Sequence, residues 1–182
     1  MFNPFNNLMI GKHFKGKAFY PILNYALSKP GAQLLETNLA TFTPANLAQE
    51  LNCLRRLNPR VERCMYHASL SLPLGERLED QSWPGAAQAF LWQMGFDDNP
   101  YVVLRHCDRP QNHIHIITSR IHFDGSCVSD RWDHYRLQAV TRQLEQLFEL
   151  TPVPARWEKQ PDSVLQNQEE SIHRLPKKQI QL

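Results

Sequence analysis

The 182-residue chain lacks a strong charge of either sign: 20 Lys and Arg stand against 18 Asp and Glu, a formal net charge of +2. Such a balance supplies no global field for attracting nucleic acid, so only a local basic face could do so. The chain also lacks any stretch near the roughly 20 apolar residues needed to span a bilayer, so no membrane insertion is expected. Its first ten residues, MFNPFNNLMI, carry no basic segment ahead of an apolar run, so no secretory leader is expected. Four cysteines (Cys53, Cys64, Cys107 and Cys127) form no Cys-x-x-Cys pair and no zinc-ribbon spacing. They read as free thiols of a reduced cytoplasm. There is no internal repeat. What remains, 42% hydrophobic and 10% aromatic residues, is an ordinary globular composition, and the length suits one domain with a proper core.

Four segments carry helical spacing. KAFYPILNYALSKPG places Phe19, Ile22, Leu23, Ala26 and Leu27 on one side and ends at Pro30 and Gly31. TPANLAQELNCLRRLNP starts with Thr43 as N-cap and Pro44 at the first helical position. SWPGAAQAFLWQMGF is expected to be capped by Ser82 and stopped by Gly95, and HYRLQAVTRQLEQLFEL aligns Leu137, Val140, Leu144, Leu147 and Phe148. Strands are expected in LLETNLA, ERCMYHASLSLP, YVVLRH and HIHIITSRIHF, the last turning through FDGS into a hairpin with CVSD. MFNPFNNLMIGK reads as a lead-in arm. The order predicts an α+β fold, a central antiparallel sheet with helices packed on one face. One domain should cover residues 1–151, and the polar, proline-punctuated 152–182 reads as a tail or linker.

The stretch RHCDRPQNHIHIITSRIHFDG (105–125) holds four of the eight histidines. On an extended strand His113 and His115 share a face, with Ile114 and Ile116 on the other. If YVVLRH is the neighbouring strand, the loop CDRPQN brings His106 beside them. Three imidazoles on a stiff sheet suit a divalent cation with coordination positions left open. The blander alternative, a half-exposed polar strand face, is weakened by the third histidine and by Asp108 next to it. His122 and His134 read as surface histidines. His67, on the polar face of another strand, stays between the two readings.

Three segments in order, YALSKPGA, then YHASLSLP, then VVLRHCDRPQNHIHIITSRIHFDG, resemble the three motifs of plasmid mobilisation relaxases. These belong to the histidine–hydrophobe–histidine (HUH) endonuclease superfamily, and the match runs from about residue 9 to 150. The resemblance implies a relaxase catalytic domain that nicks and rejoins single-stranded transfer-origin DNA through a 5′-phosphotyrosyl intermediate. It implies a divalent metal, Mg²⁺ or Mn²⁺, on His106, His113 and His115, and accessory mobilisation proteins and a coupling protein as partners. Tyr25 falls in the first motif and becomes the nucleophile, while Tyr20, about 140° away around the helix, becomes a packing residue. Asp108 is either the proton acceptor or a partner of a ligand histidine. Lys29 stands one turn beyond Tyr25, near a phosphate or simply in water. Ser71 matches a DNA-contacting serine of the second motif, and Ser69 shares its face. Arg105 and Arg109, with Arg120 and Arg131, flank the cluster and could neutralise backbone phosphates. A replication-initiator or transposase of the same superfamily would run the same chemistry, but those usually place the tyrosine after the histidine pair. A non-cleaving single-stranded DNA-binding module is the rival from another class.

Overall fold

A computed structural model describes residues 9–150; the expected tail at 152–182 and residues 1–8 of the lead-in arm lie outside the described residues. Five strands form one antiparallel sheet in the order β1-β3-β5-β4-β2. They are β1 (Ile10–Gly16), β2 (Gln33–Thr37), β3 (Met65–Ser71), β4 (Tyr101–His106) and β5 (His113–Ser119). The helices are α1 (Tyr20–Ser28), α2 (Pro44–Cys53), α3 (Trp83–Met94) and α4 (Asp133–Leu147). The α+β class with its central antiparallel sheet is as expected.

The helices cover both faces of the sheet, which corrects the one-face expectation. On one side α3 and α4 bring Trp83, Phe90, Met94, Leu137 and Leu144 onto Tyr66, Ala68, Leu70, Val103, Ile114 and Ile116. On the other, α1 and α2 bring Phe19, Leu23, Ala26, Leu47 and Leu51 onto Met65, Val102, Leu104 and Ile117. The strands supply the reason. Strand β5 is central and buried along nearly its whole length, so it needs apolar cover above and below.

Three local expectations change. IGKHFKG, whose first three residues close the expected arm, is the edge strand β1, paired with β3 from Ile10↔Ser71 to Gly16↔Met65. Gly11 is required there, because a Cβ would stand 2.6 Å from Thr141 Cγ2 of α4. Ser82 makes no side-chain cap on α3 and sits in helical backbone; the carbonyl of Glu79 accepts from the amides of Ser82 and Trp83 instead. Strand β5 ends at Ser119 rather than running to Phe123, and the following hairpin is reduced to one bridge, Ile121↔Cys127. The Asn99 amide donates to the carbonyls of Ser119 and Ile121 at 2.7 and 3.1 Å, which fixes that departure. By contrast, Thr43 Oγ1 accepts from the Asn46 amide as the N-cap expectation requires, and Gly95 ends α3 at φ 81°. Among the described residues no helix is long and apolar enough to cross a membrane.

Candidate active site

Strands β4 and β5 form a tight antiparallel pair in which His106 lies directly opposite His113, and Leu104 opposite His115. Alternation then puts His106, His113 and His115 on the α1/α2 face, while Ile114 and Ile116 enter the other core. One ring nitrogen from each of the three histidines lies within 4.8 Å of the others. Each ring also has a second nitrogen already committed. His106 Nε2 is 2.8 Å from the Ala26 carbonyl, His113 Nδ1 is 2.9 Å from the Gln111 carbonyl, and His115 Nδ1 is 2.9 Å from His67 Nε2. A ring that donates N–H from one nitrogen presents a lone pair on the other, which is the form a metal needs. Burial pushes the His115 pKa down to about 3, with His67, His106 and His113 adding to the effect. Burial also lowers His106. The neutral, oriented imidazoles of His106 and His115, with His113 beside them, fit a divalent cation.

The tyrosine helix is tied to this cluster at two points. Ala26, which accepts from His106, is the residue after Tyr25. At the helix end Lys29 Nζ lies 4.7 Å from the Tyr25 ring centroid and donates to Asp108 Oδ2 at 3.0 Å. The other carboxylate oxygen of Asp108 is 3.2 Å from His113 Nε2. Tyr25, Lys29, Asp108 and His113 are thus linked in series. The Lys29 pKa is raised by Tyr25 first and Asp108 second. The hydrogen bond from Lys29 is the largest influence holding Asp108 below the usual carboxylate range. Gly31, at φ +72°, lets the chain turn away from α1 close to Cys107. Tyr25 is 56% exposed. Tyr20 is half-exposed and lines a separate cavity of about 520 Å³ with Ala48, Gln49, Asn52 and Arg56.

Other expected residues divide by face. Ser71 pairs with His113 and Ser69 with His115, so both half-buried serines stand on the histidine face. Arg105 points to the opposite face, where it pairs with Asp80 and reaches Gln33 Oε1 at 3.0 Å. Arg109 is exposed in the loop after β4. Arg120 is buried and donates to the carbonyls of Arg63 and Val128, an internal clasp. Arg131 is exposed before α4.

Sequence reasoning left His67 undecided, and its ring lies against that of His115. The usable signal was diagonal reach: His67 pairs with Ile117, two residues from His115. Sequence reasoning also missed the open part of the same face. Ile10, Lys12 and Phe14 of β1 are exposed beside Ser71, Ser69 and His67.

No curated protein matches the chain. Residues 24–150 match a family model described as "Relaxase: MobA/VirD2-like, nuclease domain". That segment begins just before Tyr25 and includes the histidine strands, and it spans well over half of the sequence. Relaxases of this kind are DNA-nicking endonucleases of mobilisation that act on single-stranded DNA with a divalent metal. The chain belongs to the MobA/VirD2-like relaxase nuclease family.

Proposed function

We propose that this domain nicks single-stranded transfer-origin DNA by attack of the Tyr25 hydroxyl on the scissile phosphate, with a divalent cation held by His106, His113 and His115. The observation that supports it is the double tether of α1, His106 to Ala26 and Lys29 to Asp108, which ties the helix bearing Tyr25 to the histidine strands and their loop. The phenolic oxygen forms the new bond to phosphorus, and the bond to the 3′ oxygen breaks. The products are a 5′-phosphotyrosyl link and a free 3′ hydroxyl, and reversal rejoins the strand. When bound, the cation supplies positive charge to the non-bridging phosphate oxygens.

A phenol has an unperturbed pKa near 10 and is a poor nucleophile until its proton leaves. The Lys29 ammonium offsets the charge that develops on the ring oxygen, and its firm protonation suits that role. Asp108, a weakened base because Lys29 and His113 both touch it, acts as a positioning group rather than as the proton acceptor. It holds Lys29 with one oxygen, and the exposed phenol releases its proton to water. The donor set carries no carboxylate, which favours Mn²⁺ over Mg²⁺ among the two. Substrate follows the open strip of the sheet: Ser69 and Ser71 offer hydroxyls to phosphate oxygens, Lys12 and Arg109 offer charge, and Phe14 offers a ring for a base. Accessory mobilisation proteins and a coupling protein would deliver the DNA.

The test uses labelled single-stranded oligonucleotides drawn from the DNA flanking the gene, with Mn²⁺ and wild-type protein. A covalent adduct lost in Tyr25→Phe and kept in Tyr20→Phe is the expected result. The reverse pattern would overturn the nucleophile. Mn²⁺ binding with no adduct on the whole flanking region would favour a non-cleaving DNA-binding module.

A further inference from the structure

We propose that His67 is a positioning residue for the metal site: its Nε2 accepts the Nδ1–H of His115 and thereby holds His115 in the one tautomer that can bind a cation. The inference rests on the metal reading above and adds to it a residue outside the three ligands.

The contact is 2.9 Å between His67 Nε2 and His115 Nδ1, with the ring centroids 5.0 Å apart and the ring planes inclined by 26°. Two neutral imidazoles can share one such hydrogen bond in two ways. In the first, His115 carries its proton on Nδ1 and donates, leaving Nε2 bare for a metal, and His67 carries its proton on Nδ1. In the second, His67 donates from Nε2, and His115 must carry its proton on Nε2, where it blocks coordination. No proton is gained or lost between the two; each ring moves its own from one nitrogen to the other. Coordination selects the first arrangement.

Other contacts show that the pair is confined. The Phe14 ring packs edge-on against His67 at 5.1 Å between centroids. His67 Nδ1 is buried with no hydrogen-bond partner among the described residues, so among them His115 is the hydrogen-bond partner of His67. His106 has a backbone carbonyl in the corresponding role, and a carbonyl can only accept. His113 stands between two acceptors, the Gln111 carbonyl at Nδ1 and the Asp108 carboxylate at Nε2. His115 is the one ligand whose partner can donate as well as accept, and the site therefore depends on which residue occupies position 67.

Three proteins separate this role from simple packing: wild type, His67→Gln, whose amide oxygen can accept, and His67→Leu, which fills space but cannot accept. Mn²⁺ affinity is read by calorimetry and the His115 ring by nitrogen NMR with Zn²⁺ as the diamagnetic probe. Partner removal of this kind weakens metal binding by roughly 10- to 100-fold; that loss is expected in His67→Leu, with most of it recovered in His67→Gln. In Zn²⁺-bound wild type, His115 should hold its proton on Nδ1. Equal Mn²⁺ affinity in folded His67→Leu and wild type would overturn the inference, and so would a Zn²⁺-bound His115 protonated on Nε2. Should His67→Leu fail to fold, the wild-type spectrum decides alone. Wild type that binds neither ion would instead remove the metal reading itself.

Discussion

The two faces of the sheet are made by the same strands and do different work. Toward α3 and α4, Tyr66, Ala68, Leu70, Val103, Ile114 and Ile116 meet a continuous apolar layer. Toward α1 and α2, the apolar layer includes Met65, Val102, Leu104, Ile117 and Ile121, and the same face carries His67, Ser69, Ser71, His106, His113 and His115. Strand β5 contributes to both by simple alternation. The dry face holds the strands at fixed spacing, and that spacing sets the distances between imidazoles on the other side. Breaking the dry face should therefore cost stability before chemistry. Phe90→Ala, which truncates a fully buried ring, is expected to lose about 3–5 kcal/mol of unfolding free energy. Urea denaturation measures the loss, and Mn²⁺ affinity of the protein that remains folded should be unchanged. A variant that keeps its stability but loses the metal would show that the faces are not separable.

The opposite break comes next in size. His113→Ala with His115→Ala should abolish measurable Mn²⁺ binding by calorimetry. Metal-free stability should change by only about 1 kcal/mol, because the polar face adds little to the apolar core. Desolvated imidazoles are a local cost accepted for function, a common feature of working sites. A loss as large as that of Phe90→Ala would mean that the histidines are structural.

That asymmetry also explains what could be read in advance. The histidine strand announced itself because period two puts His113 and His115 together whatever surrounds them, and the six-residue loop to β4 left few places for His106. The helix with Thr43 and Pro44 carried its own start signal. Strand β1 carried none: its Gly11 and Gly16 are poor strand formers, and Gly11 lies close against Thr141 and Leu137 of α4. Its Lys12 and Phe14 make a mixed, exposed face, so the segment is held by pairing with β3 and not by its own propensity. The two-sided cover was hidden for a related reason. Alternation shows that a strand has two faces, but which helix reaches which face is a tertiary fact. Arg105 shows the limit at one residue: it is adjacent to His106 in sequence and on the opposite side of the sheet in space.

A smaller effect tests the link from the wet face to the tyrosine helix. Asp108→Asn removes the charge that holds Lys29 and weakens the contact to His113. Nicking on a cognate oligonucleotide should slow roughly 10- to 100-fold, the usual size for removing such a partner. The shape of the pH–rate profile should not change, because a positioning group moves the rate without being the proton acceptor. Loss of the acidic limb of that profile in Asp108→Asn would make Asp108 the base after all.

The smallest expected effect lies on the dry side, where one histidine intrudes. His13 of β1 rests on Tyr66, with ring centroids 5.3 Å apart. Its Nδ1 is 3.8 Å from Asp133 Oδ2, too far for a hydrogen bond. That oxygen is taken at 2.6 Å by Lys15. Burial is the largest influence on His13 and lowers its pKa; Asp133 opposes it, while Lys15 and His134 reinforce it. The folded value therefore lies below the unfolded one of about 6.5. As pH falls below that point, the unfolded chain takes up the proton first, and stability present at neutral pH is lost toward the folded pKa. His13→Gln removes that dependence and leaves the buried imidazoles of the metal site in place. Urea midpoints of both proteins, compared at pH 7.5 and 5.5 with chelator present, should fall less on acidification in His13→Gln than in wild type. The acid sensitivity that the metal-site histidines impart cancels in the comparison, so an identical fall in both proteins would show that the dry face carries no titrating weak point at position 13.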